Sequence, residues 1–282
     1  MRTGILTAIR TKYHTLSSVQ KVVADYILAH AAEVVFLSIS GLAAKCDTSE
    51  TTVMRFLRKL DFDSYQVFRV KIAQELPYGR MESVYGQIKR DDSVESVMNK
   101  VIASTSRAIG DLKQLVGADD IKKCVKIIGS AEKMFFIGMG SSSYIAFDAY
   151  HKFLRLGMNV SASSDTHIMS MIASHATGKD LVFAVSHSGE SRDILDCVNL
   201  AKKNGAGVIA LTSYRGSSIT KVADVALLSS SNETLYRSDA LVSRILQLVI
   251  IDMLYVAMVL EIGAGAMESI NRSRLAVAGK KR

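Results

Sequence analysis

Apolar residues in the N-terminal part of the chain recur at helical spacing, with short polar breaks and no β-branched runs. Leu16, Val19, Val22, Val23, Tyr26 and Ile27 make one series, Leu37, Ile39, Leu42 and Ala43 a second, and Val53, Phe56, Leu57 and Leu60 a third. That period predicts a small all-α domain over residues 1–77. The stretch ELPYGRMESVYGQIKRDDS then brings the only proline, Pro77, together with Gly79 and Gly86. These residues stop a helix and predict a linker over 78–92. Beyond it, helices are expected over Ser93–Val116 and Asp119–Ile128. Short apolar runs follow, MFFIG, NVSAS, LVFAVS, GVIALTS and VALLS, each separated from the next by a helix-length segment. Alternation of this kind predicts βαβ units, so residues 93–282 are expected to form an α/β doubly wound parallel sheet.

The most apolar stretch, LVIIDMLYVAMVLEIGAGAM, carries Asp252 at its middle and Glu261 near its end. Its unbroken apolar pieces are too short to cross a bilayer, which predicts a helix buried in a core or a subunit interface, with no membrane partner. At 49% hydrophobic and 22% charged over 282 residues, the chain has the composition of a protein folded throughout. A net charge of +8 is compatible with an anionic partner and decides nothing alone. Cys46, Cys124 and Cys197 are far apart and form no CxxC pair, so reduced structural thiols are expected, with no metal site. The N-terminal MRTGILTAIRTKYH has Arg10 and Lys12 where a signal peptide needs an apolar core, which predicts a cytoplasmic protein.

Two constellations carry chemistry. In the first, SISGLAAKC and DTSETTVMRFLRKL have the pattern of two short helices joined by a tight turn, with Ala43 and Ala44 allowing close packing. Asp47, Thr48 and Ser49 can end one helix and cap the next. Val53, Phe56 and Leu57 give the second helix a buried stripe. Its other face offers Ser49, Glu50, Thr52, Arg55, Arg58 and Lys59: hydroxyls near the start and cations along it, as a helix seated in a major groove requires. An ordinary solvated cationic face has the same composition.

In the second, the run MFFIG leads into GMGSSS and a helix, so Gly140, Ser141 and Ser142 can present backbone N–H groups, hydroxyls and a helix N-terminus to an anion. GxG could instead open a dinucleotide fingerprint, with Asp165 about 25 residues on as the ribose acid, but Ser143 replaces the third glycine. After LVFAVS, the loop SHSGES repeats the arrangement with Ser186, Ser188 and Ser191 around Gly189. Both loops fall at carboxyl ends of parallel strands, where open α/β sheets bind ligands. Simple helix capping accounts for one serine per helix and poorly for three.

Both constellations fit one family architecture. The stretch from LSSVQKVVADYILAH through the helix TVMRFLRKL and the F-SY pattern resembles the DNA-binding domain of the RpiR family of bacterial transcriptional regulators. It departs at Asp47, where such domains usually have Gly, and in the acidic DFD after the recognition helix. The segment from about Lys133 to Leu228 resembles the SIS domain, a flavodoxin-like phosphosugar-binding module. There FFIGMGSSS, LRLG, AVSHSGES and AKKNGAGVIALT occur in order, and Ser218-Ile219 lacks the usual proline. The resemblance implies that Ser141, Ser142, Ser186, Ser188 and Ser191 contact a sugar phosphate; Gly140 is expected beside them, and Asp165, His167 or Glu233 is expected to select the sugar. It implies a regulator of a sugar catabolic operon that binds double-stranded operator DNA as a homodimer or higher oligomer, the apolar helix Leu241–Leu260 forming much of the interface. No catalytic residue and no cofactor are expected. The competing class is a phosphosugar isomerase or lyase with a helical appendage, and a nicotinamide-dependent oxidoreductase is disfavoured by Ser143.

Overall fold

The computed structural model describes residues 4–35, 37–75, 91–229 and 242–280. They fall into two compact units divided between Val101 and Ile102. The expected linker lies outside the described residues except for Asp91 and Asp92.

The first unit contains helices α1 (Ile5–Lys12), α2 (Ser18–Ala29), α3 (Ala31–Val34), α4 (Ile39–Lys45), α5 (Glu50–Lys59) and α6 (Tyr65–Glu75). Its core is built from Ile9, Val23, Ile27, Val34, Leu42, Val53, Phe56, Phe68 and Ile72, all without solvent exposure. The expected stripe on α2 is displaced: Val19 and Val22 are exposed, and the buried face is Gln20, Val23, Ala24 and Ile27. Gln20 is drawn in by a capping box, in which its N–H donates to Ser17 Oγ at 3.4 Å and Ser17 N–H donates to Gln20 Oε1 at 3.2 Å. At the other end of the unit, the carboxylate of Glu75 accepts the N–H groups of Ile5 and Leu6, which satisfies the first turn of α1.

The second unit is a five-stranded parallel sheet in the order β2-β1-β3-β4-β5. The strands are β1 (Lys133–Gly138), β2 (Val160–Ser163), β3 (Asp180–Val185), β4 (Gly207–Thr212) and β5 (Val225–Leu228), each falling on an apolar run singled out above. Helix α7 (Val94–Leu115), which runs across the division at Val101, and α8 (Ala118–Ser130) precede the sheet; α9 (Ser141–Leu154), α10 (Thr166–Ser174), α11 (Arg192–Lys203) and α12 (Ser218–Val222) connect its strands. Two longer helices, α13 (Val242–Ile262) and α14 (Ala264–Ala278), end it.

Helices cover both faces of the sheet, so central strands read as continuous apolar runs, and β3 is buried at all six positions. On one face Phe136 and Phe183 pack with Phe153 of α9 beside α8 and α13, with ring centroids 5.4–5.5 Å apart. On the other, Ile137, Val182, Ala184, Val208 and Ala210 meet α10, α11 and α12. Helix α13 is long and apolar enough to cross a membrane by composition, yet Leu246, Ile250, Leu254 and Met258 bury one side of it in the sheet core. Its Asp252 pairs with Lys152 of α9 at 2.8 Å. Cys46, Cys124 and Cys197 are free and buried. Burial pushes the thiols of Cys124 and Cys197 up to about 12 and about 11, which keeps them protonated and unreactive.

Candidate functional site

In the first unit, α4 and α5 form the helix-turn-helix. Asp47 takes a left-handed backbone, φ +48°. Its N–H reaches Ala44 O at 3.2 Å and Thr48 N–H reaches Ala43 O at 2.9 Å, the paired bonds of a Schellman turn. The Asp-for-Gly departure is therefore accommodated, since Asp tolerates this region better than most residues. Ala43 is buried as expected, but Ala44 is exposed and contributes no close packing, because it lies on the outer face of α4. Ser49 caps α5, accepting Thr52 N–H at 3.2 Å and lying 3.0 Å from Thr52 Oγ1.

Helix α5 buries Val53, Phe56 and Leu57. Arg55 and Arg58 are exposed, and neither has an ion-pair partner among the described residues. Glu50 and Thr52 are half-buried at the start of the helix. Thr51, passed over in the sequence, is exposed on the same line as Arg55 and Arg58; the i, i+4, i+7 spacing was the signal for it. Lys59 lies off that line and donates to Thr15 O at 2.8 Å. The acidic segment after the helix also has a local use. Asp61, at φ +66°, closes α5, with Phe62 N–H on Leu57 O at 3.1 Å, and its carboxylate pairs with Lys12 at 2.9 Å.

In the second unit, the strand order makes β1 and β3 neighbours although β2 lies between them in sequence, so the topological switch point falls between their carboxyl ends. The loops that follow these two strands carry Gly140, Ser141 and Ser142, and Ser186, Ser188 and Ser191. Gly138 ends β1 so close to α9 that a Cβ would meet Ser142 O at 2.7 Å. Gly189 has φ +65°, and a Cβ there would stand 2.1 Å from Ser217 Oγ. Ser142 and Ser186 are buried, and Ser141 is exposed.

No side chain caps α9 at Gly140, and none caps α11 at Ser191. Ser186 Oγ accepts Gly189 N–H and Ser188 Oγ accepts Glu190 N–H, both at 3.2 Å, which shapes the loop and leaves each hydroxyl proton to donate. Glu190 Oε1 accepts Ser218 N–H at 2.8 Å and ties the loop to α12. The arrangement offers helix N-termini and hydroxyls to an anion. Arg192 begins α11, exposed and 3.7 Å from Asp196.

Asp165 and His167 follow β2, on the other side of β1. Asp165 Oδ1 accepts the N–H groups of His167 and Ile168 at 2.9 Å each and caps α10; His167 is exposed. Glu233 lies outside the described residues. Sequence reading missed Ser163, Thr212, Ser213 and Ser229, which are buried at the other strand ends, although each stands at or just after the end of an apolar run. Among the described residues no cluster of His, Cys, Asp and Glu could hold a metal ion.

Residues 3–78 match the helix-turn-helix domain of the rpiR family, and residues 127–257 match the SIS domain. An uncharacterized HTH-type transcriptional regulator of Thermotoga maritima is 36% identical over 98% of this chain and 99% of its own. The HTH-type transcriptional regulator HexR of Escherichia coli is 31% identical over 97% of this chain and 94% of its own. The structure of the Vibrio vulnificus NanR protein complexed with ManNAc-6P superposes with a TM-score of 0.84 at 26% identity, covering 98% of both chains. These likenesses run through both units in one order, and the chain belongs to the RpiR family of helix-turn-helix transcriptional regulators, with a SIS domain as its C-terminal part and regulation, not catalysis, as its activity.

Proposed function

We propose that this regulator controls a sugar catabolic operon in the cytoplasm, binding operator DNA through α5 and a phosphorylated sugar at the switch point of the sheet. The observation that carries the reading is the pair of serine loops at neighbouring strand ends, whose two following helices have no side-chain cap. A phosphomonoester can take up the N–H groups and hydroxyls gathered there, with Asp165, His167 or Glu233 selecting the sugar. The complex of NanR with ManNAc-6P supports a phosphosugar as the class of effector. A two-fold operator needs two recognition helices at fixed spacing, hence at least a dimer. The exposed side of α13, with Val256 and Leu260, suits the contact between copies.

A thermal-shift panel of phosphosugars, ManNAc-6P among them, tests the reading. An effector at 100 times its dissociation constant should add about 2.7 kcal/mol to stability. Ser186→Ala should then weaken the effector by roughly 10- to 150-fold, because a hydrogen bond to a charged group contributes about 1.5–3 kcal/mol. Operator binding without effector should be unchanged. Unaltered effector affinity in that variant would place the phosphate elsewhere.

A further inference from the structure

Four polar side chains cross the otherwise apolar core of the sheet unit from α13 to the second serine loop. Gln247 Nε2 donates to Ser229 Oγ at 3.3 Å, Ser229 Oγ lies 2.8 Å from Ser213 Oγ, and Ser213 Oγ lies 2.8 Å from His187 Nδ1. Gln247, Ser213 and Ser229 are 1%, 2% and 0% exposed. Burying such groups is costly unless each is satisfied, and here each satisfies the next. The last of them, His187, sits between Ser186 and Ser188. Its carbonyl is held as well, by Ser213 N–H at 3.0 Å and Thr212 Oγ1 at 3.2 Å, and its ring stands edge-on to Tyr214 at 5.6 Å.

Helix α13 also packs against α9, at the end of that helix far from its serine loop. Its Asp252 and Tyr255 engage Lys152 and Phe153 of α9, the helix that begins at Ser141. The hydrogen-bonded chain is therefore the link from α13 to the candidate phosphate site, and it reaches the second serine loop. Gln247 lies in the second turn of α13, and its sequence neighbours Leu246, Leu248 and Val249 are all apolar.

We infer that Gln247, Ser229 and Ser213 are positioning residues for the effector site, which set the Ser186–Ser191 loop through His187 and make phosphate affinity depend on the placement of α13. The inference rests on the phosphate reading of that loop. It also makes the link reciprocal: phosphate binding must restrain α13 by the same factor that α13 contributes to binding.

Inorganic phosphate is the probe, titrated into the full-length protein by calorimetry and followed by hydrogen exchange at α13 amides. Gln247→Leu keeps the volume and removes the donor; Ser213→Ala breaks the chain at its middle. Both should lower phosphate affinity by roughly 2- to 30-fold. Thr177→Val, which breaks the Thr177–Asp180 bond of 2.9 Å at the opposite end of β3, should bind phosphate as the wild type does. Phosphate should slow exchange in α13 of the wild type and leave it unaltered in Gln247→Leu. Wild-type affinity in both chain variants overturns the inference, and so does a wild-type α13 that exchanges identically with and without phosphate, whatever the variants do. Absence of phosphate binding to the wild type overturns the reading of the site itself.

Discussion

In the helical unit, Ser17, Ser38 and Ser49 each accept a backbone N–H from the first turn of the helix that follows, whereas the serines at the start of α9 and α11 in the sheet unit cap nothing. The residue type is the same and the position relative to the helix nearly so. The difference lies in what surrounds it. A serine cap uses the orphan N–H groups of the first turn inside the chain. Gly140 and the left-handed turn at Gly189 instead bring the backbone round without a serine cap on the following helix, where a doubly wound sheet opens between two strands. Three helices of the helical unit are closed by a serine at their start, and α9 and α11, which follow the two serine loops, are not.

The strongest break of this contrast is Gly189→Ala. Left-handed backbone together with a Cβ 2.1 Å from Ser217 Oγ should cost about 3 kcal/mol or more and abolish effector binding, as denaturant unfolding and calorimetry would show. A variant with wild-type stability and affinity would mean that the loop is not held as described.

Next is the reading face of α5. Arg55→Ala with Arg58→Ala should weaken operator binding by about 2 kcal/mol or more, and each lost phosphate contact should reduce the salt slope by about one unit. Lys59→Met should leave that slope unchanged, because its ammonium is engaged with Thr15 O. Operator titrations at several salt concentrations separate the three positions.

The comparison itself is sharpened by two serine replacements. Ser49→Ala removes a cap and should cost about 1 kcal/mol of stability. Ser191→Ala removes none and should leave the melting temperature within a degree or so while weakening the effector. Equal stability losses in the two variants would remove the distinction between closed and open helix ends.

The smallest effect is on acid stability. Burial pushes the carboxyl of Asp224 up, but the bonds from Lys202 and from Val208 N–H outweigh it and hold the group below its ordinary value of 3.8. A depressed folded value contributes stability above that pH, and the contribution is lost as pH falls through it. Asp224→Asn should therefore lose under about 1 kcal/mol at pH 7 for so exposed a pair, and none near pH 2.

Much of this was legible in the sequence for a physical reason. Parallel strands covered on both faces appear as unbroken apolar runs, so LVFAVS and GVIALTS could be read as strands without knowing their partners. The two serine loops were legible because each joined a strand to a helix. What required coordinates was the rotation of individual helices and the destination of individual oxygens. Val19 and Val22 fit a helical stripe on paper, yet the capping box turns Gln20 inward in their place. Asp165 has the chemistry to select a sugar, and only geometry reveals its carboxylate on the N–H groups of α10. The row from His187 to Gln247 spans three elements far apart in sequence, which no local pattern reports.

The bond from Glu75 to the first turn of α1 has a consequence in time. It closes helices α1–α6 with the last residue of α6, so that bundle can form once about 75 residues have left the ribosome. The sheet has no such early closure, because β1 finds its partners β2 and β3 only across intervening helices. At roughly 5–20 residues per second, the remaining 200 or so residues take about 10–40 s to emerge. The helix-turn-helix is therefore expected to fold during that interval, before the sheet unit can form.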